Sequence, residues 1–441
     1  MKNIFAWILL YYLRFFARLS LFLHKPKVIG ITGSVGKSST RNAVHAMMED
    51  YFKVQVIKEG NSETGIPLGI LGIDPGHYEF SDWLRIVFSA PFKINHLKGI
   101  SHLVVEMGID SPLPPKNMDY LLSIVHPDIS VVLNVYPVHT LQFDELFKQD
   151  LSEDKRLEYI VKRIAKEKLK IINKVNPVVG IYNENLKSQI SPQANLISFG
   201  KNDEADIKFT GYEVDLKKTS FKYFLTETNN ELEINIKNFA LPKGYLEVFA
   251  ATIAVGKSLE LTDKQIANGL EKNFTVPAGR SSIFAGVNSS IIIDSSYNAS
   301  KASVLTFLEM AEELSEKENR PLVLILGDMR ELGQETKMEH EAVAEKIIDL
   351  KTDQVFCVGP NMKKYIVPKI KGRWFKSAVE VGDFLRKSLP YRAVILVKGS
   401  QNEIFLEEAV KKILKEKSDA RKLCRQNGFW LKKKNEFFQG V

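Results

Sequence analysis

Val28 to Thr40 reads VIGITGSVGKSST, and no stretch of this chain constrains its fold more tightly. An apolar run broken by glycines enters Gly-Lys-Ser, and a helix-compatible segment from Arg41 to Met48 follows. A buried strand, a tight glycine turn and a helix N-terminus make a phosphate cradle. The turn's backbone N–H groups converge on an anion, and the helix dipole favours negative charge there. In such a cradle Thr32, Gly33, Ser34, Val35, Gly36, Lys37, Ser38 and Ser39 surround the phosphates. Lys37 reaches the terminal ones and the Ser38 hydroxyl ligates Mg²⁺. The spacing is unusual: the first glycine of the common motif would fall at Ile31, whereas the glycines here are Gly30, Gly33 and Gly36.

A chain of 441 residues has room for about two or three domains. With 44% hydrophobic residues it has ample core. Cys357 and Cys424 lie far apart in sequence, which argues against a disulfide framework and fits a reducing, cytoplasmic compartment. The net charge of +8 is uneven: no acidic residue precedes Glu49, and Lys411 to Lys434 is rich in lysine and arginine. A basic balance suits nucleic acid, membrane or acidic substrates alike. With a nucleotide motif at hand, no nucleic-acid partner is expected.

The segment Ile4 to Leu23 is apolar and long enough to cross a bilayer, which takes ~20 residues. Arg14 and Arg18 sit inside it on one helical face, and each costs about 2.5–3.5 kcal/mol at the bilayer centre. A helix lying in the interface on the inner face of the membrane keeps both guanidiniums among headgroups, with Trp7, Phe15 and Phe16 inserted. A span and a core or dimer helix are the alternatives. No small-residue cleavage site follows, so a cleaved signal peptide is not expected.

Strand-like runs at Lys53–Ile57, Ser101–Met107 and Pro127–Asn134 alternate with helical stretches, as in a doubly wound parallel sheet. Ligands of such sheets sit beyond the strands' carboxyl ends. The glycine turn, Glu106 and Asn134 to His139 all fall at such ends. Gly60 to Pro67 reads as a loop, and Lys155 to Lys174 as a basic helix. Residues 207–239 alternate like antiparallel strands, and Leu246 to Leu259 is an apolar helix. Pro277-Ala278-Gly279-Arg280 reads as a hinge into a second α/β unit with strands near Ile291, Leu322, Val355 and Ala393. The expected architecture is α/β. A hydrophobic N-terminal helix (1–27) precedes a central P-loop ATPase domain with a mostly parallel sheet (28–277). A Rossmann-like C-terminal α/β domain with a basic tail (278–441) follows.

Together these segments resemble the Mur ligase family over residues 28 to about 415, and within it most closely the MurF type, which adds D-alanyl-D-alanine to UDP-N-acetylmuramoyl-tripeptide. The glycine spacing from Gly30 to Lys37 is the family's own. Gly60-Asn61 with Gly65-Ile66-Pro67, Val105-Glu106-Met107-Gly108, and Asn134 with His139 match its later segments. So do Asp294-Ser295-Ser296-Tyr297-Asn298-Ala299-Ser300, Lys398-Gly399-Ser400 and, most type-specific, Leu326-Gly327-Asp328-Met329-Arg330-Glu331-Leu332-Gly333 with His340 beyond. The resemblance implies transfer of the γ-phosphoryl of ATP to a carboxylate, then attack of an amine on the acyl phosphate. It implies Mg²⁺ or Mn²⁺ on Ser38 and Glu106, and a second ion near His139. It also implies a carbamylated lysine on the following helix, with Lys168 the choice. Arg280 is implied to reach the γ-phosphate, Asp294 the ribose hydroxyls, and Asn298 to help hold the nucleotide.

Two departures stand out. Only about 27 residues precede the first strand, where the MurF type carries a domain that grips the UDP-sugar. A UDP-linked or a lipid-linked muramyl peptide therefore remains open as acceptor, with a dipeptide amine and a membrane surface as further partners. The family's His-Asn-x-x-Asn segment is replaced by Tyr245-Leu246-Glu247-Val248-Phe249. The alternatives are a related ligase of the folylpolyglutamate or cyanophycin type, and a membrane-associated nucleotide-binding protein without ligase activity.

Overall fold

A computed structural model describes residues 2–57, 60–76, 79–136, 153–175, 177–192, 195–330, 332–400 and 403–439. The chain forms two compact units. The first comprises Met1–Gly211, Lys222–Ile234 and Tyr245–Phe274, and the second Tyr212–Phe221, Asn235–Gly244 and Thr275–Val441.

The glycine turn follows β1 (Lys27–Thr32), whose residues after Lys27 are all buried. Strand β1 is flanked by β3 (His102–Glu106) and β4 (Ile129–Val132), both parallel to it. The register sets Ile31 beside Glu106 and Thr32 beside Val132, so the three carboxyl ends are level. Strand β2 (Val54–Val56) lies beyond β3; β5 (Val179–Asn183) and β6 (Leu196–Gly200) extend the other side. Such uninterrupted apolar strands are those of a sheet covered on both faces. Next come β7 (Ile207–Val214), β8 (Lys218–Leu225) and β9 (Asn230–Lys237), neighbours in chain order. They are joined by tight turns, a connection open to antiparallel strands. In β9 exposed and buried residues alternate, as on a sheet with one wet face.

The helices of this unit are α1 (Lys2–His24), α2 (Lys37–Met48), α3 (Gly65–Leu71), α4 (Phe80–Ser89), α5 (Met118–Ile124), α6 (Glu153–Asn173), α7 (Tyr245–Ser258) and α8 (Asp263–Asn273). Gly65 to Pro67, expected as loop, instead opens α3. Proline is tolerated in a first turn, where its missing N–H has no intrahelical partner.

Helix α1 is partly docked on the unit. Leu13, Ala17 and Ser20 are fully buried, and Leu10 nearly so. Arg14 Nη1 donates to Ser123 Oγ at 2.9 Å and Arg18 Nη1 to the Ser123 carbonyl at 3.1 Å. The guanidinium of Arg14 also lies 4.4 Å from the Tyr11 ring. The two arginines expected among headgroups therefore reach α5, and one face of α1 is protein-facing as the core-helix alternative required.

In the second unit β10 (Ser282–Ala285), β11 (Ile291–Ser295), β15 (Val394–Lys398), β12 (Leu322–Gly327), β13 (Gln354–Val358) and β14 (Arg373–Phe375) form one sheet in that order. Only β10 is antiparallel to its neighbour. Helices α9 (Lys301–Glu318), α10 (Thr336–Asp349), α11 (Ala378–Ser388), α12 (Glu407–Ile413) and α13 (Gly428–Gln439) accompany it.

The basic tail is not a free charged strip throughout. Arg425 donates to both oxygens of Glu407, at 2.8 and 2.7 Å, and Lys434 Nζ lies 2.9 Å from Glu407. All three side chains are buried. Arg425 also donates to the carbonyls of Ser296 and Tyr297. Removing one partner of a buried ion cluster strands the others, at about 3–5 kcal/mol. Arg425→Leu should lower unfolding free energy by about that much in urea titration; an unchanged midpoint would show that the cluster contributes nothing.

Candidate active site

Two glycines of this spacing have different tasks. Gly36 caps α2 with φ +85°, a left-handed conformation that strains any other residue. Gly30 lies in β1, where an added Cβ would stand 2.5 Å from Pro127 Cγ. Its place in the unusual spacing thus reflects strand packing, not the anion cradle.

Two lysines meet at the end of β1. Lys37 Nζ donates to the Gly33 carbonyl at 2.9 Å and the Ser34 carbonyl at 3.3 Å. Lys168 Nζ, from α6, donates to the same Gly33 carbonyl at 2.9 Å. Burial lowers the pKa of both, and in Lys168 burial and then the charge of Lys37 bring it down to about 7. Helix α6 buries Ile160, Ile164, Leu169 and Ile171, and this register turns Lys168 inward.

Beside them Ser38 Oγ donates to Glu106 Oε2 at 2.9 Å, and Asn61 Nδ2 donates to Glu106 Oε1 at 3.2 Å. Arg41 Nη1 lies 3.4 Å from Glu106 Oε2. A hydroxyl and a buried carboxylate in contact are the hard oxygen donors that suit Mg²⁺. His139 lies outside the described residues. Among those described, no cluster of three or more His, Cys, Asp or Glu side chains could hold a metal.

Asn134 shapes the turn. Its Oδ1 accepts from the N–H groups of Ser34 and Val35, at 3.1 and 3.0 Å. Its Nδ2 donates to Glu247 Oε2 at 2.7 Å, and Asn183 Nδ2 donates to Glu247 Oε1 at 3.3 Å. Burial raises the Glu247 pKa. Glu247, read from sequence as a departure from the family segment, therefore orients the amide that holds the turn. Tyr245, in the same segment, has its hydroxyl 3.5 Å from Ser39 Oγ.

In the second unit Arg280 is exposed, its guanidinium 4.8 Å from the Tyr297 ring centre. Asp294 is wholly buried and accepts from the Ser296 N–H at 3.1 Å; burial pushes its carboxyl up to about 6. Asn298 in that segment is exposed, held by Lys398 Nζ on its carbonyl at 2.7 Å and by Ser400 Oγ on its side chain at 3.2 Å. Asp328 accepts from the N–H groups of Asn361 and Met362. His340 Nε2 accepts from the Met329 N–H at 3.1 Å, so the type-specific segment is braced from within its own unit.

Sequence reasoning left Arg41, Asn183 and Glu247 without a site role. Arg41 stands one turn beyond Lys37, a spacing that signals a shared face. Nothing local marks Asn183. Glu247→Ala should raise the KM for ATP about 10-fold or more while leaving the melting temperature within a few degrees, as loss of an orienting partner does; an unchanged KM would deny Glu247 this role.

The Mur ligase middle domain is matched by residues 31–241, and the Mur ligase glutamate ligase domain by residues 279–401. The UDP-N-acetylmuramoyl-tripeptide–D-alanyl-D-alanine ligase of Rickettsia prowazekii is 26% identical over 385 residues, covering 86% of this chain and 76% of its own. The ligase of that name from Bacillus subtilis is 26% identical over 340 residues, covering 76% and 63%. Among solved structures, the MurF ligase of Thermotoga maritima in complex with ADP superposes with a TM-score of 0.71 at 22% identity, covering 94% of this chain and 84% of that one. MurF from Acinetobacter baumannii gives 0.70 at 19%, covering 91% and 79%.

Proposed function

This chain belongs to the Mur ligase family of ATP-dependent amide-bond-forming ligases, and we propose that it joins D-alanyl-D-alanine to a UDP-N-acetylmuramoyl-tripeptide-type acceptor. The observation that carries this reading is the pair Lys37 and Lys168 on one carbonyl, beside the Ser38–Glu106 contact. The names of the curated relatives supply the substrates.

In this reading an oxygen of the acceptor carboxylate attacks the γ-phosphorus of ATP, and ADP leaves. The amine then attacks the acyl phosphate, expelling phosphate and forming the amide. Phosphoryl transfer is chiefly positioning and charge neutralisation. Lys37 turns from Gly33 to the terminal phosphate, and the turn held by Asn134 presents its backbone. Ser38 and Glu106 would hold Mg²⁺, which would neutralise charge on the phosphates. His139 belongs to the second ion's site. Arg280 and Asn298 are the nucleotide-side residues of domain 278–441, and 28–277 is the ATP-binding domain.

Lys168 is the carbamylated lysine of this proposal. Its neutral amine adds to CO₂, forming a carbamate and releasing a proton. That places an anion beside Lys37 in place of a neutral amine and supplies oxygen ligands. The pKa of about 7 leaves much of the amine neutral near pH 7, where an exposed lysine is almost wholly protonated. The cavity of about 310 Å³ lined by Arg330, Asn361, Lys376 and Glu403, where Arg330 is paired with Glu403 at 2.6 Å, is the proposed seat of the dipeptide. The enzyme works in the cytoplasm, and α1 is its membrane-side element, which suits a lipid-linked acceptor as well as a UDP-linked one.

ADP release should need UDP-N-acetylmuramoyl-tripeptide and D-alanyl-D-alanine together, and Lys37→Ala should reduce it about 100-fold or more, as for loss of a charge-stabilising donor. ADP release indifferent to the amine would contradict the ligase reading. At fixed dissolved CO₂, activity should rise from pH 6 to 8 as Lys168 loses its proton. Lys168→Ala should lose that rise and regain activity with added propionate. Because unfolded lysine titrates near 10.5, the folded state binds fewer protons between about 7 and 10.5, and this residue's share of stability grows with pH there. A pH profile unchanged in Lys168→Ala would exclude the carbamate.

A further inference from the structure

Two helices of the first unit carry apolar stripes on their outer faces. On α1 the exposed residues Ile8, Tyr11, Phe15 and Phe22 follow helical spacing along one face, with Phe22 at 70% exposure. On α4 Phe80, Leu84 and Phe88 do the same, and Phe92 just beyond is 85% exposed. The opposite faces are docked: Leu13, Ala17 and Ile86 are fully buried. Leu13 shares one core cluster with Ile86 and Ala90, sealed by Tyr12, Phe16 and Trp83. Tyr12 Oη donates to the Val87 carbonyl at 2.8 Å. The two stripes therefore belong to one packed edge.

The charge around this edge is one-sided where the two segments end. His24 Nε2 lies 3.2 Å from the Ile94 carbonyl, so the end of α1 meets the stretch after α4. Lys25 and Lys27 on one segment and Lys93 and Lys98 on the other are exposed. None of the four has an acidic partner among the described residues, whereas Asp82, nearer the start of α4, is engaged with Arg85.

We propose that α1 and α4 together form a docking surface for an anionic phospholipid bilayer, lying flat with both aromatic stripes at the headgroup boundary. Aromatic and aliphatic residues on one face with lysines at its rim are the composition of an interfacial helix, and the lysines complement lipid phosphates. The docked face of α1 and the Arg14–Ser123 bond favour its lying along the unit over a span. The inference rests on the reading of α1 as the membrane-side element, and adds α4 and the lipid class to it.

The full chain should be tested by flotation with vesicles of pure phosphatidylcholine and of phosphatidylcholine with phosphatidylglycerol. Binding about 10-fold tighter to the anionic vesicles is expected, falling to the neutral level in a Lys25→Gln, Lys27→Gln, Lys93→Gln, Lys98→Gln variant. Phe15→Ser with Phe22→Ser, and separately Phe88→Ser with Phe92→Ser, should each weaken binding about 10-fold or more. Melting temperature and ADP release with soluble substrates should stay near wild type in all three variants, which separates failure of this surface from failure of the ligase reading. If the Phe88/Phe92 variant floats like wild type, the composite surface is wrong and α1 alone meets lipid. If wild type does not float, α1 is not a membrane element either. Self-association abolished by the same substitutions, without lipid binding, would assign the edge to a second copy and overturn the proposal.

Discussion

Two ammonium groups directed at one carbonyl oxygen, that of Lys168 buried and that of Lys37 half-buried, are the constraint around which this site is arranged. Like charges repel strongly where water is excluded, so Lys37 and Lys168 sit together only at a cost. The fold imposes the pairing. Lys37 is fixed by the turn after β1, and Lys168 by an α6 register that must bury Ile160, Ile164, Leu169 and Ile171. Burial and mutual repulsion then favour the neutral amine of Lys168. A site in that state is prepared for negative charge.

The level ends of β1, β3 and β4 do the rest of the positioning. Glu106 closes β3 and meets Ser38, the second residue of α2, while Asn134 beyond β4 holds the backbone of the turn. Glu247 and Asn183 support Asn134 from behind, so the cradle is braced by side chains widely spaced in sequence. The second unit follows the same logic. Its Asp294–Asn298 segment is held by Lys398 and Ser400, and the tail's Arg425 grips the carbonyls of Ser296 and Tyr297.

What the sequence disclosed and what it withheld divide along physical lines. The turn and the strands carrying Glu106 and Asn134 rest on local pattern or motif spacing, the choice of Lys168 rests on the family resemblance, and structure brings Lys37, Ser38, Glu106, Asn134 and Lys168 to one place. Asp294 was expected to face ribose, yet it is buried, because a strand-end carboxylate can equally close a turn on its own backbone. The docking of α1 was hidden because an apolar helix looks alike to lipid and to protein. Nor could the burial of Arg425 and Lys434 be read from a tail that is basic throughout, since Glu407, their partner, lies on another helix. Glu247 was legible only as a missing match. Its role depends on Asn134 and Asn183, distant in the chain and adjacent in space.

The claim joining these elements is that the lysine-lined turn transfers a phosphoryl group to a carboxylate. The direct measurement uses UDP-N-acetylmuramoyl-tripeptide labelled with oxygen-18 in its terminal carboxylate, turned over with ATP and D-alanyl-D-alanine, with the released phosphate analysed by mass spectrometry. An acyl phosphate passes one carboxylate oxygen to phosphate, so one label per phosphate is the expected result. Phosphate free of label, with amide formed, would contradict it.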